Sequence, residues 1–487
     1  MRCLIPIAII ATLALAGCGS SSQKSPATGG AARSTELSYF GSGSPFVMSL
    51  STSPGATSVK TGLSLVNTFP GAAFGEQAII SKLQQVGIDY QTDIKPLFGN
   101  PIMFGAASST LSGSARNNVM VVWVTKDATK LAALIKKIPG LSPGGTHDGA
   151  TLYGLGSTAA LAVAGATLVI GSSGPNVNAA LDRHASGSGF SSAEYARLSN
   201  GLPQDTLMSA FGDLTTVLSA TRAAKARSVP WVGAIRGYAA SISATGAGVS
   251  FQYRLDTSGR TLGSAQLPIA PGTAAPNLAG SLPITVGVAN PAQIATFAEG
   301  AEQSTSPAGW AKYQQRQAAA KAKTGYSLDD LFKQLTGNLI LSSDTHTTMG
   351  RVAVADASQV SQIVTKLATQ PAAFFAHSRK TKSLGGGFYS IQDGKTTLTI
   401  GVAGGQLLVG KASVAQLRAF AGQPAAPAAG AHGSIAFRVA LLPLLRLTLK
   451  KAPPQIAQVI LSALGDISGW TQASGPALTG NATLAVK

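Results

Sequence analysis

The chain has 487 residues, of which 45% are hydrophobic and only 11% charged, and its 37 Lys and Arg against 19 Asp and Glu leave a formal charge of +18. Its two cysteines, Cys3 and Cys18, both lie near the start, which excludes a disulfide framework in the body. Stability must come from packing in two or more domains, and sparse charge of mostly one sign favours anionic neighbours.

Met1-Arg2-Cys3 is a short basic start, and residues 4–16 carry no charge. This run is shorter than the roughly 20 apolar residues that span a bilayer. It has the length of a signal-peptide apolar region, and small residues follow it. Leu15-Ala16-Gly17-Cys18 resembles the lipobox of bacterial lipoproteins. The resemblance implies cleavage between Gly17 and Cys18, loss of residues 1–17, and acylation of Cys18; the alternative is an ordinary secretory peptide cut near Ala16. One acyl chain holds a protein marginally, at about 0.8 kcal/mol per buried methylene, and two or three anchor it firmly. The address is then the extracytoplasmic face of the cell membrane, where nucleic acid is not an expected partner. Residues 18–35 are small and polar and read as a flexible tether. No later apolar run reaches membrane-spanning length; "VALLPLLRLTLKK", from Val439, is broken by Pro443 and Arg446 and reads as a strand end followed by a buried helix.

The rest of the chain reads as two similar halves. "SPFVMSLSTSPGATSVKTGLSLV" and "LPITVGVANPAQIATFAEGAE" each give a strand, a Pro-containing turn and a helix, with Pro45 and Pro283 spaced by 238. "VGIDYQTDIKPLFGNPIMFG" and "TGYSLDDLFKQLTGNLILSS" follow at the same spacing, each a short helix, a Gly-Asn stop and a strand. Ser327 with Asp330 matches a capping box. Asp127 and Asp356 stand where a strand turns into a helix and read as N-caps. "ATLYGLGSTAALAVAGATLVIGSS" and "GFYSIQDGKTTLTIGVAGGQLLVGKAS" alternate as three-stranded meanders. A helix follows each, near Leu181 and Leu417, and each half closes on strands.

The expected fold is α+β: two tandem pseudo-repeats, residues 36–270 and 281–487, joined by a Pro/Gly/Ala-rich linker at 271–280. Tight turns make consecutive strands antiparallel, and alternation buries one face of each sheet, so helices are expected on that one face. The alternating strands, the repeated "DIKPLFGN" and "DDLFKQLTGN" units and the lipobox together resemble an uncharacterised family of exported bacterial lipoproteins, known only as a domain of unknown function. The resemblance implies a fold and supplies no catalytic residues.

No active site stands out. "GQLLVGKAS" has the glycines and lysine of a phosphate loop, but Gln-Leu-Leu-Val is strand material and position 412 is alanine. The five histidines form no close pair in sequence, so no metal is expected. The Gly-x-Ser-x-Gly hydrolase pattern is absent. The acid pairs Asp329/Asp330 and Glu299/Glu302 suit a helix start and an exposed helix face. The candidate contacts are basic stretches: Lys312, Arg316, Lys321 and Lys323; Arg222, Lys225 and Arg227; and "AHSRKTKS" from Ala376. The expected function is a non-enzymatic, lipid-anchored envelope protein that binds or presents an apolar or anionic ligand, with no cofactor. The membrane is its partner through Cys18, with anionic lipid or wall polymer as further candidates. A wall-associated scaffold and an envelope hydrolase are the alternatives.

Overall fold

The computed structural model describes residues 29–67, 72–107, 118–156, 159–219, 224–272, 274–280, 282–375, 379–394, 396–448 and 462–486. Gly17, Cys18 and Arg222 lie outside these residues.

Among the described residues ten strands fall before the linker: β1 (Val47–Leu50), β2 (Ile102–Ala106), β3 (Val119–Val124), β4 (Leu141–His147), β5 (Ala150–Leu155), β6 (Ala159–Ala164), β7 (Thr167–Gly171), β8 (Met208–Asp213), β9 (Gly237–Thr245) and β10 (Gly248–Asp256). Among them run α1 (Gly29–Leu37), α2 (Thr57–Asn67), α3 (Ala72–Gln85), α4 (Ala128–Lys137), α5 (Gly174–Ser186), α6 (Ser192–Leu198), α7 (Ala224–Arg227) and α8 (Pro230–Ala234). Among the described residues ten more strands of the same sheet follow: β11 (Ile284–Ala289), β12 (Leu335–Ser343), β13 (Thr348–Val354), β14 (Lys380–Gly385), β15 (Phe388–Asp393), β16 (Thr396–Ala403), β17 (Gln406–Lys411), β18 (Ile435–Val439), β19 (Leu464–Ala473) and β20 (Ala477–Val486), while the two-residue strands Asn277–Leu278 and Ala426–Pro427 pair apart from it. Their helices include α9 (Ala292–Thr305), α10 (Pro307–Thr324), α11 (Leu328–Lys333), α12 (Ala357–Thr369), α13 (Val414–Ala421) and α14 (Leu441–Thr448).

All the numbered strands pair antiparallel in one sheet. The first ten lie in the order β4-β5-β6-β7-β3-β2-β1-β8-β9-β10. The second ten lie in the order β14-β15-β16-β17-β13-β12-β11-β18-β19-β20. The two sets join edge to edge through β10 and β20, from Gly248 opposite Ala485 to Asp256 opposite Ala477. Pairing the innermost strands satisfies the backbone groups of what would otherwise be two open edges.

Helices cover both faces of this sheet, which corrects the expectation of one. On β3, Met120 and Val122 pack with Val177, Ala180 and Leu181 of α5. Val121 and Trp123 point the other way, toward Leu131, Leu134 and Ile135 of α4. On β13, Val352 packs with Val360, Ile363 and Val364 of α12, while Met349 joins the core that holds Leu417 and Phe420 of α13. The cause is local: "VMVVWV" is a continuous apolar run, the signature of a strand buried on both faces.

Two further corrections concern the edges. The meanders have four strands, because β4 and β14 precede the three that alternate. Both are solvent-exposed along most of their length. The β4–β5 turn is Asp148-Gly149, both at positive φ (44° and 75°), as a two-residue hairpin requires. The basic stretch from Ala376 ends in β14, where Lys380 and Lys382 charge an outer edge and discourage strand addition.

The N-terminal expectation also changes. Helix α1 begins at Gly29, inside the segment read as tether. Leu37 is fully buried, and Glu36 Oε1 accepts the Val124 N–H at 3.0 Å, so this end is fixed to the sheet. The helix after β18, α14, is half-buried over residues 441–445 with Pro443 exposed, rather than fully buried. Among the described residues no helix is long and apolar enough to cross a membrane.

Candidate functional site: a basic stripe and the adjoining cleft

Helix α10 starts at Pro307, whose fixed φ suits a first turn, and ends at Gly325 in the left-handed region (φ 87°). Its 18 residues include four cations and no acid. At about 100° per residue, Lys312, Arg316 and Lys323 fall within about 40° of one another on the outer face. Lys312 and Lys323 are exposed and Arg316 is half-buried. Among the described residues none of the three makes an ion pair. Lys321 falls about 180° from Lys312 and is tied to Asp330 Oδ1 at 3.1 Å. The structure therefore keeps three of the four predicted cations together and pairs the fourth, still exposed, with an acid on another side of the helix.

Asp330 is fully engaged. It caps α11 through Ser327, whose N–H and hydroxyl donate to Oδ2 at 2.9 Å each. Burial pushes its carboxyl up, but the bonds from Ser327 and from Lys321 outweigh this and leave it below the usual range. Asp329 accepts the Tyr313 hydroxyl at 2.7 Å. Burial, that bond and the charge of Asp329 all raise the Tyr313 phenol. Glu299, on α9, is raised first by burial and then by Asp329, with Lys333 opposing. The acid whose charge acts on Glu299 is thus Asp329, distant in sequence.

The second basic stretch reaches the same region from the first half. Lys225 is exposed on α7, and Arg227 donates to Ser219 Oγ at 3.2 Å. One residue on, the Ser228 hydroxyl donates to the Ser304 carbonyl at 2.8 Å. Trp231 of α8 meets Phe297 of α9 edge to face, centroids 6.5 Å apart. Gln293 Nε2 donates to the carbonyls of Ser264 and Leu267, at 2.8 and 2.7 Å. Between these contacts lies a cleft of about 380 Å³, whose walls include Val229 and Pro230 from one half and Phe297, Glu299, Gln303 and Trp310 from the other. An apolar groove of about 170 Å³ lies elsewhere on the joint, against Leu50, Val59, Leu63, Leu207, Leu464 and Leu484.

The motif "GQLLVGKAS" is a turn at Gly405, strand β17, and a Ser413 N-cap on α13, not a phosphate loop. One cluster escaped sequence reading. His147 Nε2 lies 2.7 Å from Asp182 Oδ1 and 3.7 Å from Asp148 Oδ2. The bond to Asp182 raises the imidazole pKa. The three are the one set among the described residues with donors close enough for a metal ion. All are partly or largely solvent-exposed, and only the fold brings α5 beside the β4–β5 turn.

No curated protein matches the chain. Among solved structures, "Structure of crystal form III of TP0453" matches at 8% identity and a TM-score of 0.26, over 47% of this chain and 82% of that one. Crystal form I of TP0453 matches at 9% identity and the same TM-score, over 47% and 81%. The family model described as "Protein of unknown function (DUF3352)" matches residues 7–370. With most of the sheet and two of the three basic stretches inside that span, the chain belongs to this uncharacterised family.

Proposed function

We propose that the protein is a non-enzymatic, lipid-anchored envelope protein that holds an anionic envelope component against the outer stripe of α10. The observation that carries this reading is the alignment of Lys312, Arg316 and Lys323 on a helix without acids. The stripe runs about 16 Å along the helix. Near an anionic surface each such cation contributes about 1 kcal/mol, so three supplement an acyl anchor appreciably. Lys321 and Lys323 also suit the helix C-terminus, but that role does not account for Lys312 or Arg316. Lys225 and Arg227 extend the basic character on the first half.

The anchor in this reading is acylated Cys18, supported by Leu15-Ala16-Gly17-Cys18 after an uncharged run, with the body outside the membrane. The two sets of ten strands are read as tandem pseudo-repeats. Adding ten to each strand number of the first set reproduces the order of the second. An offset of 229 residues carries Gly248 onto Ala477 and Gln252 onto Asn481, and Gln252 pairs with Asn481, as a pseudo-two-fold joint requires.

The test is retention of the mature protein on purified cell wall and on anionic vesicles, in rising salt, with and without the stripe. Loss of retention on neutralising Lys312, Arg316 and Lys323 supports the reading, and full retention overturns it. A second reading, an apolar ligand, is favoured by the aliphatic groove at Leu50 and Leu484. A bound lipid released on denaturing the purified protein would support it.

A further inference from the structure

We propose that the cleft between α8 and the α9–α10 corner is a saccharide-binding site. Its volume of about 380 Å³ falls in the range of small-molecule sites. A sugar ring offers an apolar C–H face and a rim of hydroxyls. The cleft offers the complement: the rings of Phe297 and Trp310 beside the carboxyl of Glu299 and the amides of Gln266 and Gln303. Trp310 is held ready. It stacks on Tyr313 with centroids 5.2 Å apart and planes 21° apart, and Tyr313 is fixed by its bond to Asp329. Among the described residues neither the Trp310 indole N–H, the Glu299 carboxyl nor the Gln303 amide has a hydrogen-bond partner. A hydroxyl can accept from the first and donate to or accept from the others.

The lining disfavours two other ligand classes. It includes Glu299 and no Lys or Arg, so a phosphate would meet a like charge with no cation in the lining to offset it. An acyl chain would bury the same polar groups without partners. The cations Lys312, Arg316 and Lys323 do not change this, because Trp310 points about 160° around the helix from Lys312. Cleft and stripe are separate surfaces, and the inference goes beyond the anionic-contact reading.

The mature full-length protein in detergent is titrated calorimetrically with chitotriose, cellotriose and maltotriose, and in parallel retained on purified wall sacculi at high salt, which separates free sugar from wall glycan as the source. At least one soluble sugar or the sacculus is expected to bind. Trp310→Ala and Gln303→Ala should each weaken binding about tenfold, and Trp310→Phe should restore most of it. Gln303 is exposed, so its variant keeps the fold even if loss of the indole disturbs α10. Absence of binding to every probe overturns the proposal, as does wild-type binding by both Trp310→Ala and Gln303→Ala. Retention on sacculi that depends on the stripe and not on Trp310 overturns this inference while leaving the anionic-contact reading intact.

Discussion

Tyr253 of β10 reaches across the neighbouring strand to Thr471 of β19, their hydroxyl oxygens 2.9 Å apart. Its ring lies over Gly480 of β20, where an added Cβ would sit 2.5 Å from the ring carbon Cε1. The side chain thus spans the joint and fills the space that glycine leaves. Gly480→Val should push the ring away and cost about 1–3 kcal/mol of stability, seen as a lower midpoint in denaturant. Tyr253→Phe keeps the ring and should cost only about 1 kcal/mol.

Glu36 makes stability depend on pH. Burial raises its carboxyl from 4.5 to about 8, despite the Val124 N–H bond and the nearby charge of Arg33. The unfolded state therefore ionises near pH 4.5 while the folded state still holds its proton. Stability from this group is full below the unfolded value, declines as pH rises from about 4.5 to about 8, and is then flat. A change of a few kcal/mol is expected over that window. Glu36→Gln should remove the slope and be the more stable form at pH 9, as thermal melts across pH would show.

Arg351 is buried and binds the end of α13: its guanidinium donates to the carbonyls of Phe420, Ala421 and Gln423 at 2.6–2.8 Å and lies 5.1 Å over the Phe420 ring. Arg351→Met removes the charge and leaves three carbonyls without this partner. A loss of about 2–4 kcal/mol is expected, with hydrogen exchange in α13 accelerating beyond the global rate.

The N-caps give a calibrated comparison. Asp127 and Asp356 each accept an N–H three residues on, from Lys130 and Gln359 at 2.9 Å. Replacing either by Ala should cost about 1 kcal/mol, and the double variant about twice that, because the sites belong to different halves and share no partner.

What could be read in advance was local. Caps depend on residues three apart, so Asp127, Asp356 and the Ser327–Asp330 box were visible in the letters. The strand-helix order was visible because alternation has a period of two. Edge strands β4 and β14 were not, because exposed "LSPGGTH" and "KTKSLG" have no buried face to impose a pattern; only Asp148-Gly149 marked a hairpin. Coverage of both faces was available in "VMVVWV", which is uniformly apolar. The basic stretches were found, but only helix phase separates Lys321 from the stripe. The cleft could not be read at all, since Pro230 and Trp310 come to line one cleft only when the two halves pair.

The most direct measurement is retention of the mature protein on purified wall carrying anionic polymer, as a function of salt. Lys312→Gln, Arg316→Gln and Lys323→Gln combined should lower affinity roughly a hundredfold at low ionic strength, from about 1 kcal/mol for each cation, and flatten the salt dependence. Lys321→Gln alone should change little, because its ammonium faces Asp330. Equal, salt-independent retention of wild type and triple variant would contradict the assignment of α10 as the contact surface.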